Sequence, residues 1–122
     1  MKLSLRRATD DDFYVWHGRP APPCWFGLVG EGPGGLLVGI GGAYLGIDGR
    51  WWVAFEKLPG IGGAVTMQKA ACEVIATMRA AGLGPLVALS DPAKPRADAW
   101  LTHNGFRPTD ESMHGLEVWR WN

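Results

Sequence analysis

From about residue 63 to residue 81, the apolar residues Met67, Ala71, Val74, Ile75 and Met78 recur at i, i+4, i+7, i+8 and i+11. That is the spacing of one face of an α-helix. A helix with a single apolar face must bury it against another layer, so the rest of the chain has to supply that layer. Gly82 stops the helix, and Leu86-Val87-Ala88-Leu89 follows as a short continuous apolar run suited to a buried strand. Upstream, Trp51-Trp52-Val53-Ala54-Phe55 reads as a strand that reaches the helix through Lys57-Leu58-Pro59-Gly60-Ile61-Gly62-Gly63.

The flanking segments add more strands than helices. Leu3 and Leu5 alternate with Ser4 and Arg6 as in a half-buried strand, and Thr9 followed by Asp10, Asp11 and Asp12 starts a helix with acids at its positive end. Phe13, Val15 and Trp16 lie on that helix, which Gly18, Pro20, Pro22 and Pro23 end after roughly two turns, leaving residues 18–24 as a stiff linker. Trp25 to Val29 and Leu36 to Leu45 read as strands joined by the turn Gly30 to Gly35, and Asp48-Gly49 makes a second hairpin into Trp51–Phe55. Gly39, Gly41, Gly42 and Gly46 sit in or beside the middle strand, where glycine marks bulges or allows close packing, packing being the blander reading. Trp51 and Trp52 point to opposite faces, so one is buried while the other covers a helix or a partner. Pro95 opens a last helix through Trp100 and Leu101 that Asn104-Gly105 ends, and Phe106 with Leu116 to Trp121 supplies a closing hairpin. The order is β-α-β-β-β-α-β-α-β-β. It predicts an α+β fold, a mostly antiparallel mixed sheet of six to seven strands flanked by three helices, in one domain spanning residues 1–122.

Charge and cysteine content narrow the function classes. Twelve basic residues balance twelve acidic ones, so the electropositive footprint that nucleic acid requires is missing. Cys24, Cys72 and three scattered histidines form no metal-ligand spacing, and the thiols are expected to be reduced and structural. The segment MKLSLRRATDDD lacks a signal-peptide core and no apolar run approaches the ~20 residues that span a bilayer, so a cytoplasmic location without membrane contact is expected.

The chemistry concentrates at the glycine-rich entry to the long helix. The first N–H groups of a helix have no intrahelical partner, and a glycine turn lets them converge on an anionic group such as phosphate. A plain glycine-rich strand-to-helix turn is the alternative. Gly30-x-Gly32-x-x-Gly35 has the letters of a dinucleotide fingerprint but lies between two strands with no helix behind it, and the Walker pattern is absent. Neither is a nucleotide site. His17 and His114 lie in turn-like segments and carry no signal; His103 on the last helix reads as solvent-facing or satisfied, and Tyr14 and Tyr44 as packing residues with satisfied hydroxyls.

The order of elements, the segment Lys57-x-x-Gly60-x-Gly62-Gly63-Ala64, the late Ala99-Trp100-Leu101-Thr102-His103-Asn104-Gly105-Phe106 and the opening Arg7-Ala8-Thr9 together resemble the GCN5-related N-acetyltransferase (GNAT) superfamily. The resemblance covers nearly the whole chain. It implies an acetyl-coenzyme A-dependent transfer to an amine, small or on a protein, with no metal. It implies pyrophosphate bound by Lys57, Gly60, Ile61, Gly62 and Gly63, with lysine in place of the usual Arg or Gln and so without the planar fork. It also implies pantetheine along Ala54 and Phe55, Glu56 as general base just after the strand, and Asp91 near the pantetheine arm; for Glu56 an exposed strand-end carboxylate, and for Asp91 a helix cap, stand as alternatives. Two features depart from the family: Leu101 stands where many members have a proton-donating tyrosine, and residues 10–24 replace the two helices that wall the amine cleft, which predicts a shallow, open cleft. Short chains with a Trp-Leu-x-x-x-Gly-Phe ending are similar to proteins of tailed bacteriophages, some of them internal virion components. That leaves a non-catalytic role through protein contacts as the second reading, one that seven tryptophans and a possible homodimer through a tryptophan surface or sheet edge would suit.

Overall fold

The computed structural model describes residues 2–60, 62–94 and 96–121. In chain order the elements are β1 (Ser4–Arg7), α1 (Asp10–His17), β2 (Trp25–Glu31), β3 (Leu37–Leu45), β4 (Trp51–Lys57), α2 (Ala64–Ala80), β5 (Leu86–Ser90), α3 (Ala97–His103), β6 (Arg107–Met113) and β7 (Leu116–Trp121), with a 3-10 turn at Pro33–Gly35. The predicted order is the observed one. The strands form one seven-stranded sheet in the order β1-β2-β3-β4-β5-β7-β6. Every neighbouring pair is antiparallel except β4 and β5, which run parallel and pair only at Trp51↔Leu86 and Trp52↔Val87.

The two faces of the sheet are covered differently. Ala70, Val74 and Met78 of α2 and Leu101 of α3 are buried with Leu28, Ala43, Val53, Leu86, Ala88, Phe106 and Trp119 in the main core. Fully burying a side chain such as Val74 or Leu86 contributes about 1.5–3 kcal/mol, which is why the helical stripe fixes α2 to this face. Gln68 Nε2 donates to Asn104 Oδ1 at 2.7 Å and ties the two helices together. On the opposite face, α1 stands alone over a smaller core of Ala8, Val29 and Ile40 with Trp16 and Trp25.

Local chemistry explains α1. Thr9 Oγ1 accepts from the Asp12 N–H at 3.2 Å while the Thr9 N–H donates to Asp12 Oδ2 at 2.8 Å, closing a capping box. Arg6 grips the same carboxylate with both terminal nitrogens, at 2.7 and 2.9 Å, and gives Nε to Glu31 at 2.7 Å. Held chiefly by Arg6, against the opposing effect of its own burial, the Asp12 carboxyl titrates down at about 2.

Several boundaries differ from expectation. Helix α1 continues to His17, which is therefore helical and not in a turn. Strand β4 runs to Lys57, so Glu56 lies inside the strand, with Ile40 opposite it. The glycine-rich strand β3 carries no bulge against β4, but against β2 its register shifts beside Gly39, where Gly30 faces Gly39 and Glu31 faces Leu37; the other shift falls at Pro108/Ser112. Glycines 41 and 42 serve packing instead: a Cβ on Gly41 would enter the Phe55 ring, and one on Gly42 would strike Phe26 O and approach Gly27 Cα to 2.8 Å. Pro95 lies outside the described residues, and α3 follows Arg96 in a left-handed conformation. Trp51 packs against the main core while Trp52, on the other face, lies under Arg50 at 4.8 Å.

Candidate active site

Strand β4 organises the site because its alternate residues serve different surroundings. The Leu58 N–H bonds Val38 O at 2.9 Å and the Gly46 N–H bonds Arg50 O at 2.8 Å. Hydrogen-bonded pairs in the β3–β4 ladder therefore include Trp52, Ala54 and Glu56, and the alternation turns the N–H and C=O of Phe55 toward β5. The parallel ladder ends at Trp52↔Val87, so the two strands part before Phe55. Among the described residues no strand partner meets its backbone on that edge, and the result is a wedge between the arms of the sheet.

Side chains alternate likewise. Phe55 and Lys57 face α2, where they line a cavity of about 40 Å³ with Gly62, Gly63, Leu3 and Met67. The first helical bond of α2 runs from the Met67 N–H to Gly63 O at 2.8 Å, which leaves the N–H groups of Ala64, Val65 and Thr66 without a helical acceptor. Gly63 begins the helix at φ 95° with no side-chain cap. A Cβ placed on Gly60 or Gly62 would meet nothing within 4 Å, so the turn opens outward. Ile61 lies outside the described residues. Lys57, Gly62 and Gly63 are thus brought together beside Phe55, with Gly60 on the same open turn.

Ala54 and Glu56 face α1 instead. With Phe13, His17, Tyr44 and Ile40, and with Arg19 and Pro22 of the linker, they line a cleft of about 340 Å³. Glu56 Oε2 accepts from Trp16 Nε1 at 2.8 Å and lies 4.0 Å from His17 Nδ1. The carboxylate is half-exposed yet oriented by two residues of α1. Tyr44 stacks on Trp25 at 5.5 Å with 7° between the planes. Its hydroxyl has no hydrogen-bond partner among the described residues, contrary to expectation. Burial first, and then the charge of Glu56, push its ionisation up to about 12, so at neutral pH it presents an intact O–H. The cleft is lined by helix, linker and sheet together. Trp16, His17, Arg19 and Tyr44 gave no sequence signal; the Trp16–Glu56 bond spans 40 positions.

Asp91 follows the end of β5, on the opposite arm of the wedge, and lines a separate cavity with Ser90, Lys94 and Asp98. Its Oδ1 accepts from the Ala93 N–H at 2.9 Å, a turn-capping contact. Leu101 is buried in the main core. Next to it Trp100 packs edge-on against Phe55 at 5.5 Å, its indole N–H buried without a partner among the described residues. Those residues contain no group of three or more potential metal ligands, and no helix among them is long and apolar enough to cross a membrane.

No family model matches the chain and no curated protein matches it. Solved structures do match. An IAA acetyltransferase from Bacillus cereus aligns over 98% of this chain and 99% of that chain at 11% identity and a TM-score of 0.69. The ribosomal-protein-S18-alanine N-acetyltransferase from Escherichia coli aligns over 98% and 90% at 10% identity and a TM-score of 0.70. An acetyltransferase of the GNAT family from Staphylococcus aureus aligns over 80% and 67% at 13% identity and a TM-score of 0.67. The chain therefore has the GNAT fold: a mostly antiparallel seven-stranded sheet with three helices.

Proposed function

We propose that this protein is an acetyl-coenzyme A-dependent N-acetyltransferase. The observation that carries the reading is the parting of β4 from β5 after Trp52↔Val87, directly beside an open glycine turn at the start of α2. The residues fit the cosubstrate: helix N–H groups and Lys57 for the pyrophosphate, with Gly60, Gly62 and Gly63 shaping the turn, and the β4 edge at Ala54–Phe55 for the pantetheine. Asp91, across the wedge, would flank the pantetheine arm.

Bound acetyl-coenzyme A would supply a thioester carbonyl activated toward amines. Glu56, oriented by Trp16, takes a proton from the acceptor's ammonium group; the freed lone pair forms the C–N bond, the C–S bond breaks, and the second nitrogen proton leaves to water to give the neutral amide. The Phe55 N–H, fixed along the wedge, is the donor for the negative charge developing on the carbonyl oxygen. Leu101 carries no transferable proton, so the departing thiolate takes its proton from water. The same buried leucine favours the second reading, a non-catalytic GNAT-fold protein such as a bacteriophage virion component that acts by protein contact.

Thermal unfolding with acetyl-coenzyme A decides between them. Cosubstrate at a hundred times its dissociation constant should stabilise the native protein by about 2.7 kcal/mol. Gly62→Glu puts a negative side chain into open space over the turn, so it should remove the shift while the unliganded protein still melts as the parent does. No shift in the parent at millimolar acetyl-coenzyme A leaves the non-catalytic reading. A shift retained in the variant refutes the assignment of the turn.

A further inference from the structure

The α1-side cleft contains two opposite charges that do not meet. Glu56 lies on its β4 wall and Arg19 on its linker wall, and both line the same volume of about 340 Å³. Glu56 is engaged by Trp16 and approached by His17. Arg19 packs over the Phe13 ring at 5.3 Å. Among the described residues it has no carboxylate in ion-pair contact, unlike Arg6 and Arg50 but like the other arginines. Between the charges the walls are Phe13, Pro22, Ile40 and Tyr44, apolar or aromatic, and the volume is at the small end of ligand sites.

We infer that the acceptor is a free amino acid with an apolar or aromatic side chain, its amine directed to Glu56 and its carboxylate to Arg19. A zwitterion engages both charges at once, its amine on the Glu56 oxygen lone pairs that Trp16 leaves open, and a guanidinium binds a carboxylate through two parallel hydrogen bonds. A simple amine would leave the exposed Arg19 to solvent and the Phe13 ring and gain nothing from it, and a diamine would set a second cation beside it. Tyr44 adds an O–H donor at the same wall, within the field of both charges. The chemistry of the transfer rests on the function proposed above; the class of ligand does not.

The test separates the two. Calorimetric titration of the protein without cosubstrate uses L-phenylalanine, phenethylamine and 3-phenylpropanoate. L-Phenylalanine should bind at least tenfold more tightly than either analogue lacking one charge. Arg19→Gln should weaken L-phenylalanine at least tenfold and change phenethylamine less than twofold, with Arg19→Lys intermediate. Equal binding of the amine and the amino acid, equal losses for both in Arg19→Gln, or no binding of any of the three overturns the inference. Thiol release from acetyl-coenzyme A with each amine is then read in parallel. Selective amino-acid binding without thiol release removes the transferase reading and keeps the ligand class; thiol release that is equal for both amines does the reverse.

Discussion

Asp12 combines two tasks that are usually separate, closing the first turn of α1 and neutralising Arg6, and each predicts a loss in Asp12→Ala. The cap and the charge-assisted bonds together should lower stability by about 2 kcal/mol, measured by urea unfolding at neutral pH. The acid sign follows from the direction of the shift. A carboxyl at about 2 in the folded protein, below its ordinary 3.8, contributes stability above pH 4 that is lost as pH falls toward 2. Melting temperatures between pH 2 and 6 should therefore depend less on pH in the variant than in the parent. Glu56 carries the second prediction at this scale. Glu56→Gln keeps the Trp16 hydrogen bond but removes the base, so kcat/KM should fall about 10²–10⁴-fold and the acid limb of its pH profile should disappear. An unchanged profile would assign the proton to another group. The cap was legible in Thr9 and the acids after it; Glu56 reads as lying just after the strand, and the structure puts it inside β4. Trp16, His17 and Arg19 were not legible, because only the docking of α1 and its linker on the sheet brings them to β4, and Tyr44, beside β4 through the hairpin pairing, read as a packing residue.

Helix α2 was legible almost to its ends, since its apolar stripe and its glycine boundaries come from neighbouring residues. The parting of β4 and β5 was not: Trp51–Phe55 and Leu86–Leu89 both read as apolar strands, and how many residues they share depends on contacts made across 30 and more positions. The glycines of β3 lie between these cases. Their number pointed to packing, and the structure identifies the surfaces as the Phe55 ring on one side and the β2 backbone on the other. Because the neighbour of Gly42 is backbone and cannot rotate away, Gly42→Ala should cost about 1–3 kcal/mol. Circular-dichroism melts of the variant against the parent measure it, and an unchanged melting temperature would mean that β2 yields to the extra methyl.

The whole molecule consists of two leaves, β1–β4 with α1 and β5–β7, joined in the sheet by two parallel residue pairs and bridged on one face by α2 and α3. The element order was readable from local patterns, but not the insertion of β7 between β5 and β6, which requires the closing hairpin to fold back across the sheet. Cosubstrate in the wedge should slow amide exchange at Phe55 and in β5 together, as followed by hydrogen–deuterium exchange, while β1 and β6 at the outer edges change little. A guest lying along the edge of Phe55 would act as a splint across the seam, supplying the rungs that the protein omits. Without it the seam rests on two residue pairs and on the core that both leaves share under α2 and α3, so the gap beside Phe55 is a stretch of the sheet whose closure would depend on what lies in it.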